Sequence, residues 1–396
     1  MLIKNVSVLL GKELDFVLRT NIEIQNQIFK KIQSKVQSNT KNESIDGEGL
    51  LAIPGFINAH THIGDSIGKD VTINSSVDKR IHPVFGIKSK ILKNTSQTNL
   101  VNFMTNTCHS MLRKGITTFV DFREGGLDGV VLLKKILSDV PLRAIILGRI
   151  EFYQKSNEII KNISFPRNKL KDTIELLKQC DGLGISGANE NSTSVLNYYS
   201  KTQKLRAIHS SETKQSTSKS KKITGLSETN RALSLKPHFL VHMTHASKDD
   251  LQAAAKKTRG IVICPRANSA LAEGIPDIEL MQKTGCTLAL GTDNIMINSP
   301  DMFREMDFIW KATMGLHKKR LDPKEILKMA TVNGGKILNK NIGVIETGKI
   351  ADCIFLDKHA LDLEPMHNPH ASIVHRASES AIRVMMIGGK IVHGKF

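Results

Sequence analysis

No apolar stretch in these 396 residues approaches the roughly 18 consecutive apolar side chains that a membrane-spanning helix requires, so no membrane partner is expected. Residues 1–10 alternate like a strand and soon meet Gly11, Lys12 and Glu13. They lack the long apolar centre and cleavage site of a secretion signal. The five cysteines (Cys108, Cys180, Cys264, Cys286 and Cys353) are odd in number, scattered and never spaced Cys-x-x-Cys. That pattern argues against a disulfide framework and predicts reduced thiols in a cytoplasmic protein. No Gly-x-Gly-x-x-Gly follows a strand-like run, which weakens a dinucleotide-binding sheet.

Acidic side chains are also scarce: 38 Asp and Glu face 56 Lys and Arg, for a net charge of +18. The positive residues are dispersed, however, and the densest cluster, residues 214–222, reads as a polar surface loop. A basic, solvated surface is the better reading, and nucleic-acid binding is not expected. Apolar residues make up 40% of the chain, and mean hydropathy is −0.18. This suits a globular chain with a sizeable core, long enough for one large domain and a small one.

Short strand-like runs fill the first fifty residues (3–10, 16–19, 22–24 and 28–36), with polar turns at Gly11, Asn26 and 39–42. The tail reads similarly at 351–356, 371–375, 381–387 and 390–393. Between them lies an apolar run at 50–59, followed by strand patterns at 116–121, 142–147, 182–185, 205–210, 239–243, 260–264 and 287–290. Helical stretches separate them, including 100–114, 130–138, 169–179, 249–257 and 277–284. Eight strands in βα alternation predict an α/β fold, a (β/α)8 TIM barrel at 51–342. A small β-sandwich domain built from both termini, 1–50 and 343–396, completes the expectation.

Barrel enzymes carry their chemistry where strands end. The first strand ends in His60-Thr61-His62, whose imidazoles share one face because strand side chains repeat every two residues. The fifth ends in His209 with Glu212 close behind, the sixth in His242 with His245 nearby, and the eighth in Asp293. His60, His62, His209 and Asp293 make an N3O ligand set with room for water, as a catalytic zinc-type site requires.

With these motifs in order, the chain resembles the amidohydrolase superfamily. The likeness is to its metal-dependent aminohydrolases: the adenosylhomocysteine, guanine and cytosine deaminases, with triazine chlorohydrolases as close relatives. The resemblance rests on Pro54-Gly-Phe-Ile-Asn-Ala-His60-Thr-His62, Gly115-Ile-Thr-Thr118, His209-Ser-Ser-Glu212, His242-Met-Thr-His245, Cys264-Pro-Arg-Ala-Asn268 and Gly291-Thr-Asp293. The terminal segments Gly343–Asp352 and Ile387–Val392 also resemble the superfamily's small β domain, so the likeness covers nearly the whole chain. It implies that His60, His62, His209 and Asp293 bind one divalent metal ion, Zn2+ or Fe2+. It also implies that Glu212 shuttles protons, and that His242 either orients water or serves as a ligand. The fourth strand supplies no lysine to bridge two metals.

The implied activity is hydrolytic deamination of a nucleobase, nucleoside or related nitrogen heterocycle. Cyclic-amide hydrolysis and halide release are the alternatives, and a non-catalytic metal-binding protein fits poorly with a retained proton shuttle. Candidate substrate contacts are Asp65, in the long segment after strand one, the strand-end arginines Arg123, Arg149 and Arg266, and Asn294. Salt bridging to Glu124 or Glu151 is the competing role for these arginines. The expected partner is a small heterocyclic molecule; homo-oligomer formation is left open.

Overall fold

The computed structural model describes residues 1–34, 44–71, 73–318 and 320–396. The turn expected at 39–42 and the end of the run 28–36 lie outside these residues. The first five strands are β1 (Leu2–Leu10), β2 (Asp15–Gln25), β3 (Ile28–Gln33), β4 (Ser44–Asp46) and β5 (Leu50–Pro54). A parallel series follows: β6 (Phe56–His62), β7 (Ile116–Arg123), β8 (Arg143–Gly148), β9 (Gly182–Ile185), β10 (Leu205–Ser210), β11 (Phe239–His242), β12 (Ile261–Ile263), β13 (Leu288–Leu290) and β14 (Asp293–Asn294). The chain closes with β15 (Cys353–Asp357), β16 (Ile382–Ile387) and β17 (Lys390–Gly394).

The parallel strands form one curled nine-stranded sheet in the order β13-β12-β11-β10-β9-β8-β7-β6-β14. Its two edge segments, β13 and β14, are consecutive in the chain. The strand interiors show why both faces are apolar. Ile57, Val120, Ile145, Ala207, Val241 and Val262 meet inside the curl. Their neighbours Phe56, Phe119, Ile146, Ile208, Leu240 and Ile261 face the surrounding helices. Alternating directions therefore bury nearly all of these strands, with only the first two residues of β8 and β10 partly exposed, as a parallel sheet covered on both faces requires.

Both termini enter a second, mixed sheet in the order β17-β16-β15-β5-β1-β2-β3, with β4 beside β1. One of its faces packs towards the barrel through Leu9, Leu51, Ile53, Ile354 and Met385. The other gathers a separate core of Ile3, Val8, Ile22, Phe29, Phe355 and Val384. The pairings of the described residues place these strands in one sheet; a second sheet stacked on it, as a sandwich requires, is not among them.

Four local expectations change. The apolar run 50–59 is two strands in two sheets, broken after Pro54. Gly55 is needed there because a Cβ would lie 2.2 Å from the Thr117 side chain. The runs at 16–19 and 22–24 belong to the single strand β2. The stretch 371–375 is helical (Pro369–His375), since Asn368 caps the Ala371 amide and Pro369 opens the first turn. The basic cluster 214–222 is helix Lys214–Thr224, started by the Thr213 hydroxyl accepting from Ser216 N and ended by Gly225 at φ +74°. Its polarity reflects exposure, not irregular backbone.

Asp352 ties the two sheets together. Its buried carboxylate accepts from Arg143 at 3.2 and 3.3 Å and from the Gly388 amide at 2.7 Å. Replacing Asp352 by Ala leaves those donors unpaired and should cost about 1–3 kcal/mol. The fall in the denaturant midpoint measures this, and Asp352→Asn should lose less.

Candidate active site

The candidate residues gather at the carboxyl ends of the parallel strands, where the backbone makes sharp turns. Ser211, His242, Met243 and Asp293 all adopt positive φ, between 49° and 71°. Each such non-glycine residue costs on the order of 1–3 kcal/mol, which surrounding bonds must offset. Around Ser211 those bonds are visible. Its amide donates to Glu228 Oε2 at 3.0 Å, and Thr229 Oγ1 lies 3.0 Å from its hydroxyl. At the other side, Gly291 lets the eighth strand pass His60, whose Cβ would lie 2.7 Å from any Cβ there.

Four ligand atoms converge. His60 Nε2 lies 3.2 Å from His209 Nε2 and 3.2 Å from Asp293 Oδ1. His62 Nε2 lies 3.4 Å from His209 Nε2 and 3.6 Å from Asp293 Oδ1. Zinc–nitrogen bonds of about 2.0–2.1 Å place tetrahedral ligand atoms about 3.3–3.4 Å apart, so the set fits a small divalent cation. The opposite ring nitrogens support this fit. His62 Nδ1 faces Phe122 O at 3.2 Å and Glu124 Oε1 at 2.8 Å, while His209 Nδ1 faces Ile185 O at 3.0 Å. These acceptors hold the proton on Nδ1 and turn the Nε2 lone pair inward.

Burial keeps the imidazoles neutral: it lowers His62 to about 3, places His209 well below its usual value and lowers His60. Burial works against charge on Asp293 as well, but its hydrogen bond to His60 and the nearby histidines hold its carboxyl low. Glu212 behaves oppositely. Burial lifts it to about 7 against the pull of His242, with Asp293 and Glu273 adding to the rise. Its Oε2 is 3.6 Å from His242 Nε2, and its Oε1 has no hydrogen-bond partner. His242 Nδ1 is 3.3 Å from Asn268 Oδ1. The imidazole of His242 also groups with His60 and Asp293 as a possible cation set, whereas His245 turns away to the Glu273 carbonyl.

A buried charge network lies behind the ligands. Glu124 accepts from His62 and pairs with Lys88 Nζ at 2.6 Å; Arg149 Nη1 stands 3.8 Å away. Lys88 also meets Asp65 at 3.2 Å, and Asp65 accepts from Asn294 Nδ2 at 2.7 Å. Lys88 thus links the neighbours of two ligands, His62 and Asp293. Arg123 belongs to the same layer, donating to the Glu124 carbonyl at 3.0 Å and facing Asp121 at 3.6 Å. Asp121 in turn accepts from Thr61 and the Ile63 amide.

A cleft open to solvent lies above these groups. Arg149 and Asn294 line it together with His62, His209, Glu212, His242 and Asp293. Asp65 and Arg123 lie behind it, and Arg266 is held by Glu305 and Ser299 O, each at 3.3 Å, outside the lining. The segment after the first strand contributes Val77, Asp78, Ile81, His82 and Pro83, as its unusual length suggests.

Sequence reasoning missed Lys88, Glu228 and the supporting role of Glu124. Glu124 carries a usable signal, since it follows the second strand directly. Lys88 carries none: among so many lysines, only the folded carboxylates single it out. Glu124→Gln should weaken divalent-metal affinity about 10–100-fold while the fold persists. Chelator competition and circular dichroism measure the two quantities, and His60→Ala should abolish metal retention altogether.

The amidohydrolase family model matches residues 51–392. A putative aminohydrolase of Methanothermobacter thermautotrophicus is 34% identical over 397 residues, covering 99% of each chain. A 5-methylthioadenosine/S-adenosylhomocysteine deaminase of Thermoanaerobacter pseudethanolicus is 30% identical, covering 99% of this chain and 93% of its own. Among solved structures, a zinc-bound adenosine deaminase from Xanthomonas campestris superposes with a TM-score of 0.85 at 20% identity, covering 98% of this chain and 92% of its own. The chain therefore belongs to the amidohydrolase family, hydrolases acting on non-peptide carbon–nitrogen bonds.

Proposed function

We propose that this protein deaminates a nucleobase, nucleoside or related nitrogen heterocycle, with one Zn2+ or Fe2+ held by His60, His62, His209 and Asp293. Glu212 carries the reading: a carboxyl raised to about 7, with an unpaired oxygen, lines the same cavity as the ligand cluster. A bound divalent ion would make a water molecule acidic near neutral pH. The protein's own groups then divide the proton traffic. Asp293 accepts the proton from the attacking water, a role supported by its Oδ2 having no hydrogen-bond partner among the described residues.

Protonated Glu212 donates to the ring nitrogen beside the attacked carbon, so charge does not accumulate there. That carbon becomes tetrahedral, return of the first proton to the amino group lets ammonia leave, and the hydroxyl proton passes back to Glu212 as the carbonyl forms. His242, oriented by Asn268, lies beside Glu212 and steers the nucleophile. The deaminase name of the Thermoanaerobacter relative favours ammonia as the leaving group over a ring-opened amide. We also read the curled sheet as a closed (β/α)8 barrel, because its last two segments bond to opposite neighbours.

Metal-loaded protein should release ammonia from at least one member of a panel of purines, pyrimidines, pterins and nucleosides. Acid product from cyclic amides without ammonia would reverse the assignment. Glu212→Gln should keep its metal and lose about 100- to 10,000-fold in turnover. Because Glu212 must be protonated to act as the donor, wild-type kcat/KM should fall as pH rises through about 7. A pH–rate profile checks the direction.

A further inference from the structure

The turn Ala188–Glu190 follows the fourth parallel strand and lines the cavity through Asn189 and Glu190. Asn189 is 6% exposed, and its Nδ2 donates to Ser216 O at 2.9 Å and Glu228 Oε1 at 3.3 Å. Both of those partners are acceptors, so the amide cannot flip, and Oδ1 is left with no donor among the described residues. Among the described residues the Glu190 carboxylate has no hydrogen bond and no ion pair; Arg149 and Lys219 act on it at longer range. A Cβ on Gly187 would lie 2.9 Å from Glu190 Oε2 and 3.7 Å from Glu228 Oε1, so the glycine admits both carboxylates to one corner.

The turn cannot rearrange to satisfy itself. Gln154 N donates to Glu190 O at 2.9 Å, Asn191 Nδ2 to Gly187 O at 2.9 Å, and buried Arg231 to Asn191 O at 2.7 Å. A buried acceptor without a donor costs about 1–3 kcal/mol, and a rigid turn leaves solvent or a bound ligand to supply it. The corner also adjoins the reacting centre, because the Ile185 carbonyl just before it orients His209.

We propose that Asn189 and Glu190 form a second subsite of the cavity, one that takes a hydrogen-bond donor, hydroxyl or ammonium, on the non-reacting part of the substrate. Anionic substituents such as phosphate are rejected there, since they bring acceptors to acceptors. The subsite rests on the deaminase reading only where turnover is the readout.

The test uses one aminopurine in four forms: the free base, the hydroxylated nucleoside, its 5′-amino analogue and its 5′-phosphate. Binding by calorimetry and ammonia release are measured on metal-loaded wild type, Glu190→Gln and Gly187→Ala, the last displacing the carboxylate without removing it. Wild type should bind a hydroxyl- or amine-bearing form about tenfold tighter than the base, and the phosphate more weakly than either. Both variants should erode that preference about fivefold or more relative to the base. A larger loss on the amine than on the hydroxyl identifies ammonium as the preferred donor, and the reverse identifies hydroxyl. Equal losses on all four forms, or tightest binding of the phosphate, would overturn the subsite. If no ammonia is released but the binding order holds, the deaminase reading fails and the subsite stands. Ammonia release without the binding order has the opposite meaning.

Discussion

Three neutral imidazole nitrogens and a carboxylate oxygen stand 3.2–3.6 Å apart at the strand ends, and much of the molecule can be understood from that crowding. Lone pairs at this separation repel unless a proton or a cation lies between them. Burial denies the imidazoles their protons, which leaves the centre suited to a divalent ion. The surrounding architecture keeps the lone pairs aimed inward. Main-chain carbonyls of the second and fourth strands fix two ring tautomers, and left-handed turns at His242 and Asp293 bring in the others.

Holding such a centre needs charge balance behind it. Glu124 faces His62, but a buried carboxylate is costly alone, and Lys88 and Arg149 supply the compensation. Lys88 comes from helix Ile87–Asn94, in the segment that also roofs the cavity. The roof and the ligand shell are therefore parts of one electrostatic unit. Asp65 and Asn294 extend it to the neighbour of Asp293, so a displacement of the roof would reach two ligands at once.

The parts readable from sequence are those governed by local periodicity. Strand positions from Ile116 onward were readable because parallel strands are short apolar runs, and His60 and His62 share a face for the same reason. The helix at Pro369–His375 was not, since its apolar core mimics a strand and the Asn368–Pro369 start signal outweighs it. Helix Lys214–Thr224 was missed because it is polar almost throughout, leaving no apolar stripe to detect. The candidate ligands showed as four strand-end residues, yet their supports did not. Lys88 and Glu228 acquire meaning from partners 36 and 17 residues away, a relation no local pattern encodes.

The same distinction separates the charge of the chain from the charge of its cavity. The sequence carries +18, which taken alone suggests an anionic ligand. The cavity wall instead contains Asp78, Glu190, Glu212, Glu228 and Asp293 against Lys88 and Arg149. Both of those cations already face Glu124. A divalent ion would offset part of this acidity, while Glu190 has no cation in contact among the described residues. Dispersed surface lysines are screened over about 8–10 Å at ordinary salt, and Lys219 acts on Glu190 only at longer range. Selection in the cavity thus follows the arrangement of its buried acceptors, and the basic exterior describes how the protein meets solvent.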